Sequence, residues 1–208
     1  MGKLKIFTFP DVILTQKASP IARVEKSYFK LADDMLETMY FAPGVGLAAN
    51  QVGILERILV LDTDYDLEEL PEGAKAPEGS EVVDGSLIKN KKPKIIINPE
   101  IIAREGKLLF HEGCLSVPEY GADVQRSKKI KLQYQDIDGK TQTLLAEGLQ
   151  AVAIQHEIDH LDGKLFIDHL SPLKKDMARK KLREERILRD LEGPAPKSGG
   201  KKSGKPGL

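Results

Sequence analysis

The chain has 208 residues, 40% of them hydrophobic, with 32 Lys+Arg balanced by 32 Asp+Glu. That length can bury a substantial core in one domain, and the even charge gives no general attraction to DNA or to acidic partners. A single cysteine excludes a disulfide framework within the chain, and no run approaches the ~18 apolar residues of a membrane helix.

In chain order, the first apolar stretch is interrupted by Lys3, Lys5 and Pro10, which does not fit a secretory leader. A cytoplasmic protein without membrane or DNA partners is expected. Residues Ser27 to about Tyr40 predict a helix with Leu31, Met35 and Met39 as its buried stripe. Gly44-Val45-Gly46-Leu47-Ala48-Ala49-Asn50-Gln51 follows. It is neither a P-loop nor GxGxxG, and by itself reads as a turn into a packed segment. Strands are expected at Ile58–Leu61, Ile95–Ile97, Lys107–Phe110, Ile130–Gln135 and Thr141–Leu145, with Asp138-Gly139 as the hairpin turn between the last two.

Two segments depart from a compact core. From Asp62 to Asp84 there are nine acidic residues and one lysine, so 62–92 reads as a long, solvated insertion between two strands. A last helix from about Pro172 to Leu191 is basic, with eight Lys/Arg against four Asp/Glu between Ser171 and Leu191. Residues 193–208 form a Gly-, Pro-, Ser- and Lys-rich tail whose composition cannot bury enough surface to order itself. Regular strand–helix alternation is absent, which disfavours a parallel doubly wound sheet. The expected architecture is α+β: antiparallel or mixed sheets around a central helix, with an N-terminal and a C-terminal helix, in a single domain over 1–192.

The chemistry concentrates at His156-Glu157-Ile158-Asp159-His160. On a helix, His156 and His160 lie one turn apart on the same face and can share one metal ion, with Glu157 about 100° round from His156. Leu149, Val152 and Ala153 complete the stripe, so the imidazoles sit on the apolar face, where a buried pair needs a partner. Two core histidines bonded to backbone carbonyls are the plainer alternative. A metzincin would place a third histidine where this chain has Phe166, and His169 falls three residues late. Glu184 and Glu185 offer a downstream carboxylate, but within a densely charged segment. Cys114, in Glu112-Gly113-Cys114-Leu115-Ser116, is a better third ligand. One thiolate and two imidazoles leave the fourth tetrahedral position open, as catalytic sites do.

GVGLAANQ, EGCLS and HEIDH, in that order, resemble the peptide deformylases, and the likeness runs from Phe9-Pro10-Asp11 to Ile167-Asp168. The resemblance implies an enzyme that removes the formyl group from the N-terminal formylmethionine of new polypeptides. It implies that Cys114, His156 and His160 hold one divalent ion, Fe(II) foremost and Zn(II), Ni(II) or Co(II) as occupants the site can also take. Water or hydroxide fills the fourth place and attacks the formyl carbon, with Glu157 as general base and then acid. The Gln51 amide and the Leu115 backbone N–H face the oxyanion. Val45, Phe110, Leu149, Val152 and Ala153 line the methionine pocket. Gly46, Glu112, Gly113 and the Glu119-Tyr120-Gly121 stretch border the peptide, and Glu112 with Arg126 braces the cysteine loop. Many relatives carry an arginine where this chain has Gly121. In related deformylases the C-terminal region can dock on the ribosome near the nascent-chain exit, which makes 171–208 a candidate for contact with rRNA phosphates.

Overall fold

The computed structural model describes residues 2–71, 73 and 75–192. The element order is α1 (Ser27–Phe41), β1 (Gly46–Ala48), β2 (Ile58–Leu61), β3 (Asp66–Glu69), β4 (Val82–Val83), β5 (Ser86–Lys89), β6 (Lys94–Glu105), β7 (Leu108–Cys114), β8 (Val117–Arg126), β9 (Lys129–Gln135), β10 (Thr141–Glu147), α2 (Leu149–Leu161) and α3 (Pro172–Glu192). The class is α+β. Every ladder between these strands is antiparallel; the parallel element that a mixed sheet would require appears only as an isolated bridge, Ser19 to Glu56.

A five-stranded sheet in the order β1-β2-β6-β9-β10 forms the platform. Its interior strand β2 reads Ile-Leu-Val-Leu and is buried at all positions, the continuous apolar run of a strand covered on both faces. The expected strand at Ile95–Ile97 proves to be the start of the much longer β6. Pro99 hides the rest, because a proline within a run argues against a strand. The structure accommodates it at a register shift between Ile97 and Glu100, beside Asn98 at φ 49°. Asn98 then replaces the lost ladder bonds, its side chain pairing with both Ile21 N and Ile21 O.

The acidic stretch is an insertion between sheet neighbours β2 and β6, and it is not a structureless loop. It folds into a small sheet in the order β3-β5-β4, with Val83 and Leu87 buried beneath its charged face. Strands of two to four residues are too short to give a periodic signal. The Asp138-Gly139 turn joins β9 to β10 with Gly139 at φ 77°, and the β7–β8 hairpin presents Cys114 at its tip.

Helix α2 contacts β1, β2 and β10. On its other side the His156 ring stacks on Phe166, with centroids 6.1 Å apart. It is therefore enclosed rather than amphipathic: Ala151, Ile154, Gln155 and Glu157 are buried along with Val152, Ala153, His156 and His160 of the expected stripe. Two hydrophobic clusters meet at this helix. The larger holds the sheet, α1 and the apolar residues of α2; the smaller holds Phe9, Leu14, Cys114, Val117, Val124 and Phe166. The polar residues discussed next lie at the seam between them. Among the described residues, no helix is long and apolar enough to cross a membrane.

Candidate active site

Three elements converge. Helix α2 supplies His156 and His160, the tip of β7 supplies Cys114, and the 3₁₀ turn Ala49–Val52 after β1 supplies Gln51. The ligand atoms of Cys114, His156 and His160 lie within 4.8 Å of one another, and all three residues are buried. Cys114 Sγ is 3.1 Å from His160 Nε2, which is 3.2 Å from His156 Nε2.

These residues fit a divalent ion on their own chemistry. Bonds of ~2.0–2.3 Å around one tetrahedral ion would separate ligand atoms by roughly 3.3–3.7 Å, close to the spacings seen. His156 Nδ1 faces Glu112 Oε2 at 2.8 Å, which fixes the tautomer and leaves Nε2 to the centre. Burial acts against a charge on His156, but Cys114 and Glu112 outweigh it and raise its pKa well above the ordinary value. Burial and the neighbouring His156 hold His160 well below its own, so that ring stays neutral. His160 Nδ1 is buried with no hydrogen-bond partner among the described residues. A thiol and two enclosed imidazoles in contact are the ligand set of a soft or borderline cation.

Behind the ligands runs a polar chain. Arg126 grips Glu112 bidentately, Nε to Oε1 at 2.6 Å and Nη2 to Oε2 at 2.9 Å, with both side chains buried. Arg126 Nη1 reaches Asp159, and Asp159 accepts from His169 at 2.6 Å. The Glu112 carboxylate is thus wholly engaged by Arg126 and His156. His169 is taken up by Asp159, and Glu184 and Glu185 pair with Lys180 and Lys181 on α3. None of the three approaches the Cys–His–His cluster as a further ligand.

Glu157 is 1% exposed and its Oε2 has no partner among the described residues. Desolvation pushes its pKa up to about 7, against the pull of His156. Gly46 is what allows it to sit there: a Cβ at 46 would stand 2.5 Å from Glu157 Oε1. Gln51 is oriented from both ends. Its Oε1 accepts from Ala48 N at 2.7 Å, which turns the amide nitrogen toward Ser116 Oγ at 3.2 Å and Cys114 Sγ at 3.7 Å. The Leu115 N–H has no backbone acceptor among the described residues, and the Leu115 side chain lies against Gly44.

Val45, Val152 and Ala153 belong to the larger cluster, with Phe110, Leu115 and Leu149 half-buried against it. Gly113 marks a register shift between Glu112 and Cys114, and nothing lies within 4 Å of where its Cβ would be. Sequence reasoning assigned nothing to Ser116, whose N–H also points at Cys114 Sγ at 3.4 Å. Nor did it assign Asn50, which donates to the His160 carbonyl, Asp159, or Phe166 as a platform for His156. The signals were present as neighbours within the three motifs, but none specifies contact across the fold.

A helix-borne His–Glu–His set with a buried cysteine beside it is a candidate metal-holding site, and hydrolases are the class of protein in which such a set is used. Residues 3–176 match the model of the polypeptide deformylase family, and the chain belongs to that family of enzymes. A peptide deformylase of Xylella fastidiosa (strain M12) is 48% identical over 189 residues, covering 89% of this chain and 98% of the relative. One from Alkalilimnicola ehrlichii is 44% identical, covering 91% and 93%. Among solved structures, a peptide deformylase from Legionella pneumophila superposes with a TM-score of 0.74 at 39% identity, covering 93% of this chain and all of that one (100%). A peptide deformylase from Ehrlichia chaffeensis in complex with actinonin gives 0.73 at 39% identity, covering 89% and 98%.

Proposed function

We propose that this chain hydrolyses the N-formyl group from the N-terminal formylmethionine of newly made polypeptides, releasing formate. The observation that carries this reading is the convergence of Cys114, His156 and His160 beside a buried carboxylate, Glu157, and an oriented amide, Gln51. Family membership and the coverage of the relatives support it. Cys114, His156 and His160 would hold one divalent ion, with Fe(II) first and Zn(II), Ni(II) or Co(II) as alternatives. When bound, that ion supplies a Lewis acid and lowers the pKa of water.

The chain's own residues do the rest. Glu157 takes a proton from the attacking water and returns it to the amine as the C–N bond breaks, leaving formate and a free N-terminus. Its elevated pKa suits both halves of that transfer, and the base form is lost as pH falls below about 7; a neighbouring cation would move that limit downward. The Gln51 amide and the Leu115 N–H meet the developing oxyanion. Val45, Phe110, Leu149, Val152 and Ala153 take the methionine side chain. Gly46 on β1 and Gly113 on β7 offer backbone to an extended peptide: each strand has a single ladder partner among the described strands, so each has an open edge. The small formyl carbon fits a centre this enclosed, whereas an internal peptide carbonyl carries a bulky Cα substituent.

Residues 1–192 serve in this reading as the catalytic domain. The basic face of α3 is proposed to meet ribosomal RNA phosphates, and salt-dependent co-sedimentation with ribosomes checks that point. Residues 193–208, expected from composition to form a disordered tail, lie outside the described residues.

The deciding experiment is formate release from formyl-Met-Ala-Ser by protein purified anaerobically and loaded with Fe(II) or Ni(II). Unformylated peptide and Glu157→Ala serve as controls. Metal-dependent release, reduced by about 10²–10⁴ in Glu157→Ala with metal content unchanged, is the expected result. Folded, metal-loaded protein that releases no formate would overturn the reading.

A further inference from the structure

The insertion between β2 and β6 packs on the core, and its first turn reaches the strand that borders the proposed site. Tyr65, the residue before β3, is 5% exposed and belongs to the larger hydrophobic cluster, with Leu67 and Ile88 of the insertion packed against that cluster. Its ring stands edge-on to Tyr40 of α1, with centroids 5.1 Å apart at 90°. Asp62 ties the two ends of the segment together. Its carboxylate accepts from Tyr40 Oη at 2.6 Å, from Asp64 N at 3.0 Å and from Lys92 N at 2.7 Å. An acid-rich segment is solvated by default; this one is fastened where it leaves the main sheet and where it returns.

One bond of this cluster points toward the catalytic strand. Tyr65 Oη donates to the Gly44 carbonyl at 3.1 Å, and the bond is buried. The Gly44 N–H donates to Met39 O at 3.0 Å, and the next carbonyl, that of Val45, accepts from Asp62 N at 2.9 Å. A short run of backbone is thus held by α1 through Met39 and by the insertion through residues 62 and 65. That run lies tightly against groups the reaction would use. A Cβ at Gly44 would stand 2.9 Å from Leu115 Cδ1, and one at Gly46 would stand 2.5 Å from Glu157 Oε1. Clearances this small pass a backbone shift to the neighbouring residues, because close-packed interiors transmit strain. A buried carbonyl stripped of its donor costs free energy, so losing the Tyr65 hydroxyl gives the run a reason to move.

We propose that Tyr65 is a positioning residue: by holding the Gly44 carbonyl it fixes the Gly44–Gly46 backbone against Leu115 and Glu157, so that the acidic insertion supports turnover from outside the site. The proposal rests on the deformylase reading and gives a task to a segment that reading leaves idle.

Steady-state kinetics and urea unfolding of two near-isosteric variants test it, with metal-loaded enzyme and formyl-Met-Ala-Ser. Tyr65→Phe keeps the ring and removes the bond to Gly44. Tyr40→Phe also keeps its ring and removes a buried bond of the same cluster, that to Asp62, without touching the Gly44 carbonyl. Tyr65→Phe should lower kcat by about 3–10-fold, the scale of one neutral hydrogen bond, with KM nearly unchanged and metal content as in the parent. Tyr40→Phe should lower the urea midpoint at least as much as Tyr65→Phe does, yet leave kcat at the parent value. General support of the fold would move both variants together, so this split isolates positioning. Unchanged kcat in Tyr65→Phe, or an equal fall of kcat in the two variants, would overturn the proposal. If the unaltered enzyme releases no formate, the deformylase reading fails and the proposal falls with it.

Discussion

Helices α2 and α3 both carry charged residues, and those charges end in opposite situations. Nine of the 13 residues of α2 are buried, among them Gln155, His156, Glu157 and His160. In α3, spanning 21 residues, Ala178 and Leu182 reach full burial while Leu173, Met177, Ile187 and Leu188 remain largely exposed. The charges of α3 pair with one another at i,i+4, as in Lys180–Glu184, Lys181–Glu185 and Arg186–Asp190, in positions where water screens them. Those of α2 have no water to fall back on, so each needs a specific partner from elsewhere in the chain. A polar residue costs little on an exposed helix and is tightly constrained on an enclosed one.

Substitutions should separate the two helices accordingly. Arg126→Leu leaves the Glu112 carboxylate and Asp159 facing each other in the interior. It should cost about 3–5 kcal/mol in urea unfolding, the scale for breaking a buried pair from one side. Metal affinity should fall by ~10–100-fold, because Glu112 no longer holds the His156 tautomer. If Arg126→Leu melted like the parent protein, the buried chain from His169 to His156 would have no structural weight.

Gly46→Ala comes next. Its Cβ would stand 2.5 Å from Glu157 Oε1, so the carboxylate must move, and turnover should drop about 10²-fold while fold and metal content persist. Undiminished kcat would show that Glu157 has room to spare.

Acid probes the same enclosure through Asp159. Burial raises its pKa, but the His169 hydrogen bond and the Arg126 charge prevail and hold it at about 2. The folded value lies below the unfolded one. The stabilisation, about 2 kcal/mol, is therefore present above pH ~4 and disappears as pH falls toward 2. Asp159→Asn should flatten that limb of the stability–pH curve; a curve identical to the parent's would contradict the assignment. The smallest effect belongs to α3. Lys181→Ala removes an exposed i,i+4 pair and should shift stability by no more than about 0.5 kcal/mol, with a larger change in thermal or urea unfolding showing that α3 charges matter beyond local pairing.

Much of this was legible beforehand because local rules and global fold agree. The limits of α1 and α3, the β2 run and the β9–β10 hairpin all follow from periodicity and turn chemistry, and nothing in the tertiary structure opposes those preferences. The failures have physical causes. Pro99 masked β6, the strands of the acidic insertion are too short to show a period, and β8 went unseen because Pro118 and Gly121 break its pattern. At the site, motif spacing on one helix put His156 and His160 together, since i and i+4 face the same way in any α-helix. Glu112 is the instructive case. The family resemblance gave it two parts, a border of the peptide and a brace with Arg126; packing shows Arg126 and also His156 on its carboxylate.

The sequence by itself determined α1, β2, the β9–β10 hairpin, α3 and the donor set, because helix period, turn residues and ligand chemistry are properties of neighbouring residues. Tertiary structure alone decided that Cys114 meets the two histidines, that Gly46 clears space for Glu157, and that Tyr65 reaches the Gly44 carbonyl. Each of these depends on the separation of atoms from segments far apart in the chain, and no local rule sets that distance.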